Sequence, residues 1–184
     1  CMRMIIQSRL IVFLDYECGQ QLQEHQKCCR QSGRNYRMSI KGIYDIHCHI
    51  VPGVDDGATD IRETVKLLRM EYEQGVRTVI ATPHFRFQMF ETPAEKVREQ
   101  FRLVEKAASE ISPDLHVYLG CEFHANMEML PMLREQKVMT MAGSRYVLTE
   151  FSHNSEESYI RERLGALLSG GYKPIMAHIE RYEA

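Results

Sequence analysis

The 184-residue sequence has neither a long apolar run nor a strong excess of charge of either sign. An apolar stretch at residues 10–14 is far shorter than the roughly 20 residues that a membrane-spanning helix needs. No small-residue cleavage site of the kind that ends a signal peptide follows it. The formal net charge is −2, so the chain lacks the broad basic surface with which many proteins bind nucleic acid. We therefore expect no direct membrane insertion and no nucleic-acid partner.

Cysteine is scarce after the first forty residues. Four of the six cysteines lie in residues 1–40 and only Cys48 and Cys121 follow, a distribution unlike that of a secreted disulfide scaffold. We therefore expect a reduced, cytoplasmic protein. The first segment is also rich in Gln, Cys and Arg and shows little periodicity. We place a domain boundary near residue 40, interpret residues 1–40 as a disordered extension or as non-native upstream sequence, and assign residues 41–184 to one domain.

After this boundary, apolar strands alternate with amphipathic helices. Five strands are predicted, at residues 43–50, 76–81, 115–119, 146–149 and 174–177. The clearest helix starts are at Asp60, which can cap a helix together with Glu63, and at Thr92, which precedes Pro93. Such alternation implies parallel strands joined by right-handed crossovers, in either a β/α barrel or an open doubly wound sheet.

A histidine or an acidic residue stands at the C-terminal end of every predicted strand. The first strand carries Asp45, His47 and His49, which the alternation of side chains puts on one face. The other four strands lead to His84, Glu122, Glu150 and His178. Each residue alone is more often a hydrogen-bonded loop residue than a ligand. In barrel enzymes, however, the site is built at this end of successive strands, so the joint pattern favours a metal site.

The chemistry of these residues narrows the kind of metal site. Imidazoles and carboxylates without a cysteine cluster suit manganese, iron or zinc in a catalytic site, and Cys48 is expected in the core. The candidates are too many for one ion, so we expect two or three ions, which together activate water and hold a transferring phosphoryl group. In the loop after the first strand, Asp56 is a further candidate ligand, whereas Asp55 fits an ordinary turn.

Two further features concern the substrate. Arg181 follows the fifth strand and can hold phosphate with its guanidinium group, although a solvated surface arginine is the plainer alternative. Aromatic and methionine side chains follow His84, at Phe85, Phe87, Met89 and Phe90. They form either a wall for a ring-bearing substrate or the packing of a loop, and the sequence leaves both interpretations open.

Six segments in this order resemble those of the polymerase-and-histidinol-phosphatase (PHP) superfamily: Tyr-Asp-Ile-His-Cys-His, Val-Asp-Asp-Gly, Ala-Thr-Pro-His, Gly-Cys-Glu, Thr-Glu-Phe-Ser and Ala-His-Ile-Glu-Arg-Tyr. Within it, the chain is similar to the bacterial manganese-dependent protein-tyrosine phosphatases of capsule and exopolysaccharide operons. The resemblance covers residues 43–184. It implies an α/β fold, a distorted seven-stranded TIM-like β/α barrel, of which this sequence holds the first five strands.

The resemblance also implies roles for particular residues around Mn²⁺. The first ion would be held by His47, His49 and Glu122, the second by Glu122, Glu150 and His178, and the third by Asp56 and His84. Arg181 would contact the phosphate. The family also uses a late Asp-x-His pair, and none follows His178 here, which leaves the first and third ions short of a ligand. We accordingly expect residues 1–184 alone to be poorly soluble and weakly active.

The function implied by the resemblance is the removal of phosphate from phosphotyrosine. The implied substrate is the tail of a membrane-associated bacterial tyrosine kinase that regulates capsule or exopolysaccharide synthesis. Two alternatives stay open: a small-molecule phosphatase, such as one for histidinol phosphate, and a non-catalytic PHP-like module that binds metal or a partner protein. Turnover of a phosphotyrosyl peptide compared with that of histidinol phosphate would separate the two phosphatases.

Overall fold

A computed structural model of the chain describes residues 11–12 and 42–182. The strands are β1 (Ile11–Val12), β2 (Ile43–Cys48), β3 (Val76–Ala81), β4 (His84–Phe85), β5 (His116–Leu119), β6 (Glu122–His124), β7 (Tyr146–Glu150) and β8 (Lys173–Met176). The α-helices are α1 (Ile61–Glu73), α2 (Ala94–Ile111), α3 (Met129–Arg134) and α4 (Glu157–Ser169), with 3₁₀ turns at Met141–Gly143 and Ile179–Arg181. None of the helices in these ranges has the length and apolar character needed to cross a membrane.

The strands form two four-stranded sheets, with the orders β1-β2-β3-β5 and β4-β6-β7-β8. The described pairs are parallel except that of β1 with β2. The second and third predicted strands are observed as β3 and β5 of the first sheet. Two residues after each of them, at 82–83 and 120–121, lead into a further short strand, β4 or β6, which belongs to the second sheet and was not predicted. The amide of Glu122 donates to the carbonyl of Pro83 at 3.0 Å and links these two connections. The predicted parallel α/β architecture is confirmed.

The order of these strands is that of the chain. The five predicted strands lie side by side in the order in which they occur along the chain. The part of the chain that the structure describes shows no reversal of strand order of the kind that defines an open doubly wound sheet. Of the predicted extension, only Ile11 and Val12 are described, and they pair antiparallel with Asp45 and Tyr44. The interpretation of the rest of residues 1–40 lies outside the described ranges.

A local side-chain cap starts α1 but not α2. The Asp60 carboxylate accepts from the amides of Arg62 and Glu63, which confirms the predicted cap of α1. The predicted cap of α2 is wrong: Pro93 precedes the first helical residue, and no side chain caps the helix. The hydroxyl of Thr92 instead donates to the carbonyl of Val54 at 2.8 Å, which ties the start of α2 to the loop after β2.

Two apolar clusters pack the sheets against the helices. The first sheet packs on α1 and α2 around Leu68, Val79 and Val104, none of which is exposed. The second sheet packs on α3 and α4 around Phe123 and Leu167, which are equally buried. The burial of apolar side chains in these two clusters is the main stabilising contribution to such a domain. The strand ends above these clusters are thereby fixed in place.

A bulge in β2 corrects one expectation about its side chains. Asp45 pairs with Val79 and Cys48 with Ala81, so three steps along β2 oppose two along β3. Asp45 therefore shares a face with Cys48, and their ligand atoms lie within 4.8 Å of those of Glu71 on α1. The prediction that Asp45 shares a face with His47 and His49 is wrong for this reason. The predicted placement of Cys48 in the core is confirmed.

Candidate metal centre

Glu122, the first residue of β6, lies at the centre of four histidines. Its side chain is only 1% exposed. Carboxylate oxygen Oε2 lies 2.9 Å from Nε2 of His47 and 3.0 Å from Nε2 of His49. The same oxygen lies 3.3 Å from Nδ1 of His84, and the other oxygen, Oε1, lies 2.8 Å from Nε2 of His178. The histidines come from three places, the end of β2, the start of β4 and the residues just after β8, so parallel pairing of the strands in this order is what brings them together.

Two further carboxylates border this cluster. Oxygen Oε1 of Glu150, at the end of β7, lies 3.5 Å from Nε2 of His178. Asp56 reaches in from the loop after β2: its Oδ1 lies 3.8 Å from Nε2 of His84, and its side chain is 65% exposed. Three groups bring their ligand atoms within 4.8 Å of one another: His47 with His49 and Glu122, His49 with Asp56 and His84, and His84 with Glu122 and Glu150.

The unsatisfied atoms of this cluster fit a bound cation. Nδ1 of His84 and Oε2 of Glu150 are both buried and lie 3.8 Å apart. Within residues 42–182 neither atom has a hydrogen-bond partner. A buried polar atom without a partner is costly, and a metal ion bound to both atoms would remove that cost. The nitrogen and oxygen donors, without a thiolate, therefore fit a centre of more than one divalent cation.

Asp55 is a functional candidate that the sequence reasoning missed. It was expected in an ordinary turn, and its carboxylate does accept from the amide of Gly57 at 3.0 Å. However, its side chain is fully buried, and Oδ2 accepts from Nδ1 of His49 at 2.8 Å and from the amide of His84 at 2.9 Å. Metal-binding histidines commonly donate their second ring N–H to a carboxylate, and this rule could have identified Asp55.

Tyr182 holds the ends of β7 and β8 together. Its hydroxyl accepts from the amide of Phe151 at 3.1 Å and donates to the carbonyl of Ala177 at 2.8 Å. Between these contacts, His178 has a left-handed backbone conformation, with φ 33° and ψ 55°. Few residues other than glycine adopt this conformation, and it persists where the surroundings impose it. The Tyr182 contacts thus help to direct the His178 ring toward Glu122.

The electrostatics of the cluster follow from its burial and its hydrogen bonds. Burial by itself raises the pKa of Glu122, but hydrogen bonds from the surrounding histidines outweigh burial and hold that pKa far below its usual range. Burial by itself lowers the pKa of His49, but its hydrogen bonds to Asp55 and Glu122 outweigh burial and raise the pKa to about 10. Burial and the charge of Glu122 raise the pKa of Glu150. The raised pKa favours the protonated form of His49 in the metal-free protein, and a cation bound at this ring would compete with that proton.

An open cleft of about 540 Å³ lies beside the cluster. Glu150 and His178 belong to both the cleft and the cluster. Arg181, in the 3₁₀ turn after β8, also lines the cleft, as the prediction of a phosphate contact requires. The remaining lining residues are Arg86, Phe151, Ser152, His153, Asn154 and Tyr182.

The aromatic residues after His84 divide between the two interpretations. The ring of Phe90 stacks on that of His84 with centroids 5.3 Å apart, and Phe85 packs edge-on against the buried Phe123. These two residues serve packing. Phe87 and Met89 are 47% and 59% exposed, and the ring of Phe87 packs edge-on against that of Phe85. The structure thus brings the seven predicted ligands together and puts Arg181 beside them, while their assignment to metal and phosphate stays a prediction.

Fold and site together define an α/β protein with a histidine–carboxylate centre at the carboxyl ends of parallel strands. More particularly, the chain belongs to the capsular polysaccharide synthesis family CpsB/CapC, whose profile matches residues 43–184. The tyrosine-protein phosphatase CpsB of Streptococcus pneumoniae is 43% identical over 142 residues, which are 77% of this chain and 58% of that protein. The tyrosine-protein phosphatase YwqE of Bacillus subtilis is 34% identical over 139 residues, 76% of this chain and 55% of that protein.

A similar fold has been solved. The crystal structures of YwqE from Bacillus subtilis and CpsB from Streptococcus pneumoniae, metal-dependent tyrosine phosphatases, include a chain that superposes with a TM-score of 0.69 at 33% identity. The match covers 76% of this chain and 56% of the solved one. The resemblance found in the sequence is therefore confirmed at the level of the family. This chain spans a little over half the length of the relatives that it matches.

Proposed function

We propose that this chain is part of a metal-dependent phosphatase that removes phosphate from tyrosyl residues of proteins. The observation that carries the proposal is the convergence of four histidines on the Glu122 carboxylate, beside a cleft lined by arginine. Relatives with 34–43% identity are named tyrosine-protein phosphatases, which supports the same reaction.

The chain's own residues divide the work of this reaction. His47, His49 and Glu122 would hold one ion and His178 with Glu150 a second, with Glu122 shared between them, while His84 and Asp56 would hold a third. Bound divalent cations supply an activated water and neutralise charge on a phosphoryl group. We favour Mn²⁺, which the resemblance to the manganese-dependent phosphatases implies; mixed imidazole and carboxylate donors without thiolate suit it, as they suit iron and zinc.

The cleft fits the proposed substrate. A volume of about 540 Å³ accommodates a phosphorylated tyrosyl side chain, since small-molecule sites are about 300–1,000 Å³. Arg181 would bind the phosphoryl oxygens with its planar guanidinium group. Phe87 and Met89, exposed in the loop after β4, offer apolar contacts to a peptide. We propose a cytoplasmic protein whose partner is the phosphotyrosine tail of a membrane-associated kinase in capsule or exopolysaccharide synthesis.

We also propose that the described strands belong to a distorted β/α barrel of the PHP type. Strands that follow the chain order, with helices between them and the site at their carboxyl ends, support a barrel over an open doubly wound sheet. The arrangement in two sheets, with β3 leading into β4 and β5 into β6, is consistent with a distorted closure.

The experiment compares substrates and variants of the manganese-loaded protein. We expect release of phosphate from a phosphotyrosyl peptide and much slower release from a phosphoseryl peptide and from histidinol phosphate. Glu122→Gln should lose most of the bound manganese and at least 100-fold in turnover, because the cluster loses its central charge. Glu105→Gln, at an exposed position of α2, is the matched control and should change neither.

Faster turnover of histidinol phosphate than of the peptide would assign the site to a small-molecule phosphatase. Metal binding without turnover of either substrate would instead indicate a non-catalytic module. Wild-type turnover and metal content in Glu122→Gln would contradict the metal assignment itself.

A further inference from the structure

Arg86 lies next to the metal centre but has no part in the assignments above. It follows β4 and continues its extended backbone through a bridge to Phe90. Because side chains alternate along an extended segment, Arg86 shares a face with His84, whereas Phe85 between them packs on the buried Phe123. Arg86 lines the same cleft as Arg181, although the two arginines come from distant parts of the chain.

The guanidinium group of Arg86 is a cation without a carboxylate partner. Within residues 42–182, no carboxylate oxygen lies within 4.0 Å of it, and the hydrogen bonds between Arg86 and Phe90 join their backbones. Its charge nevertheless acts on the cleft. Burial lowers the pKa of His124, and the charge of Arg86 lowers it further. Burial raises the pKa of Glu150, and the charge of Arg86 acts in the opposite direction.

An arginine in this setting is suited to an anion. A guanidinium group presents several N–H donors in one plane, which match two oxygens of a phosphate at once. The half-buried position limits competition from water, and the lack of an internal ion pair leaves the donors available. The cleft is lined by two arginines and by two of the predicted metal ligands. These groups could therefore surround the equatorial oxygens of one phosphoryl group.

We propose that Arg86 binds the phosphoryl group of the substrate together with Arg181, each through its guanidinium group. This inference rests on the proposed function and deepens it by adding a substrate-binding residue on the β4 side of the cleft. The ligand class is a phosphate monoester dianion, for which inorganic phosphate is the simplest probe.

The test measures phosphate binding and turnover in the manganese-loaded protein. Arg86→Ala should weaken the affinity for inorganic phosphate at least tenfold in calorimetric titration and raise KM for a phosphotyrosyl peptide by a similar factor. Arg86→Lys keeps the charge but loses the fork, so it should recover only part of each loss. Arg102→Ala, an exposed arginine of α2, is the matched control and should leave both values unchanged.

The structural role is tested separately from the binding role. Because the Arg86 side chain makes no ion pair in the described ranges, Arg86→Ala should keep the wild-type melting temperature and manganese content. Phosphate affinity and KM within twofold of wild type in Arg86→Ala would overturn the inference. If phosphate affinity depends on Arg86 while the wild-type protein hydrolyses no phosphotyrosyl peptide, the proposed function fails and the phosphate site stands.

Discussion

Replacement of Asp55 by asparagine tests how the centre is organised. The Asp55 side chain is fully buried and satisfies three donors: Nδ1 of His49 and the amide of His84 through Oδ2, and the amide of Gly57 through Oδ1. Asparagine has one oxygen, so one of these positions becomes an NH₂ group that faces a donor. The arrangement that keeps His49 and His84 satisfied loses the bond to Gly57 and also the negative charge opposite His49.

The substitution should lower both stability and metal affinity. A neutral hydrogen bond contributes about 0.5–1.5 kcal/mol to the free energy of unfolding and one to a charged group about 1.5–3 kcal/mol, so losing the bond to Gly57 and neutralising the two bonds at Oδ2 should cost about 3 kcal/mol or more in stability. Removal of a carboxylate that orients a metal-binding histidine typically costs about 10–100-fold in metal affinity, or about 1.4–2.8 kcal/mol. The second estimate predicts that Asp55→Asn weakens manganese binding by one to two orders of magnitude.

The assay is a manganese titration followed by electron paramagnetic resonance, with circular dichroism to verify the fold. Asp114→Asn is the control, because its exposed carboxylate lies near the N-terminal end of β5, away from the strand ends that carry the cluster. Manganese affinity of Asp55→Asn within twofold of wild type, in a folded protein, would refute the reasoning that Asp55 positions His49.

Three other perturbations test the same geometry. Gly57→Ala would place a Cβ 2.3 Å from the carbonyl oxygen of His49, so we expect it to lower the free energy of unfolding in urea by about 1–3 kcal/mol. Gly165→Ala is the control, because the space around Gly165 is open and the variant should not be destabilised. Equal stability of the two variants would contradict this prediction. Tyr182→Phe leaves two backbone groups without their partner and should cost about 1–3 kcal/mol, and a melting temperature equal to that of wild type would argue against its role. In chelator, the free energy of unfolding should fall as the pH rises from about 6.5 to 10. The reason is that the pKa of His49 is raised to about 10 in the folded protein. The stability that this protonated histidine contributes is fully present below its pKa in the unfolded chain and is lost above its pKa in the folded protein. A free energy of unfolding that rises over this pH range would contradict the assignment.

The sequence by itself determined the elements and the chemistry that they carry. Short apolar stretches marked the strands, and Asp60 with Glu63 marked the start of α1, because both signals depend only on neighbours along the chain. The positions of His47 and Glu122, in and just after predicted strands, can likewise be read directly from the order of residues. Parallel strands place their carboxyl ends at one edge, and this rule was enough to predict that the candidate ligands would meet.

Only the tertiary structure decided which atoms meet within the cluster. The register shift between β2 and β3 puts the Asp45 side chain on the face of Cys48 rather than on that of the His47 ring, and no local pattern announces such a bulge. Thr92 bonds to Val54 rather than capping α2, because a carbonyl from a distant loop lies within reach of its hydroxyl. Asp55 gained its role in the same way, from contacts to His49 and His84 that follow from the packing of loops above the sheet. These contacts join residues that are far apart in the sequence, and their distances are set only when the strands and loops pack together.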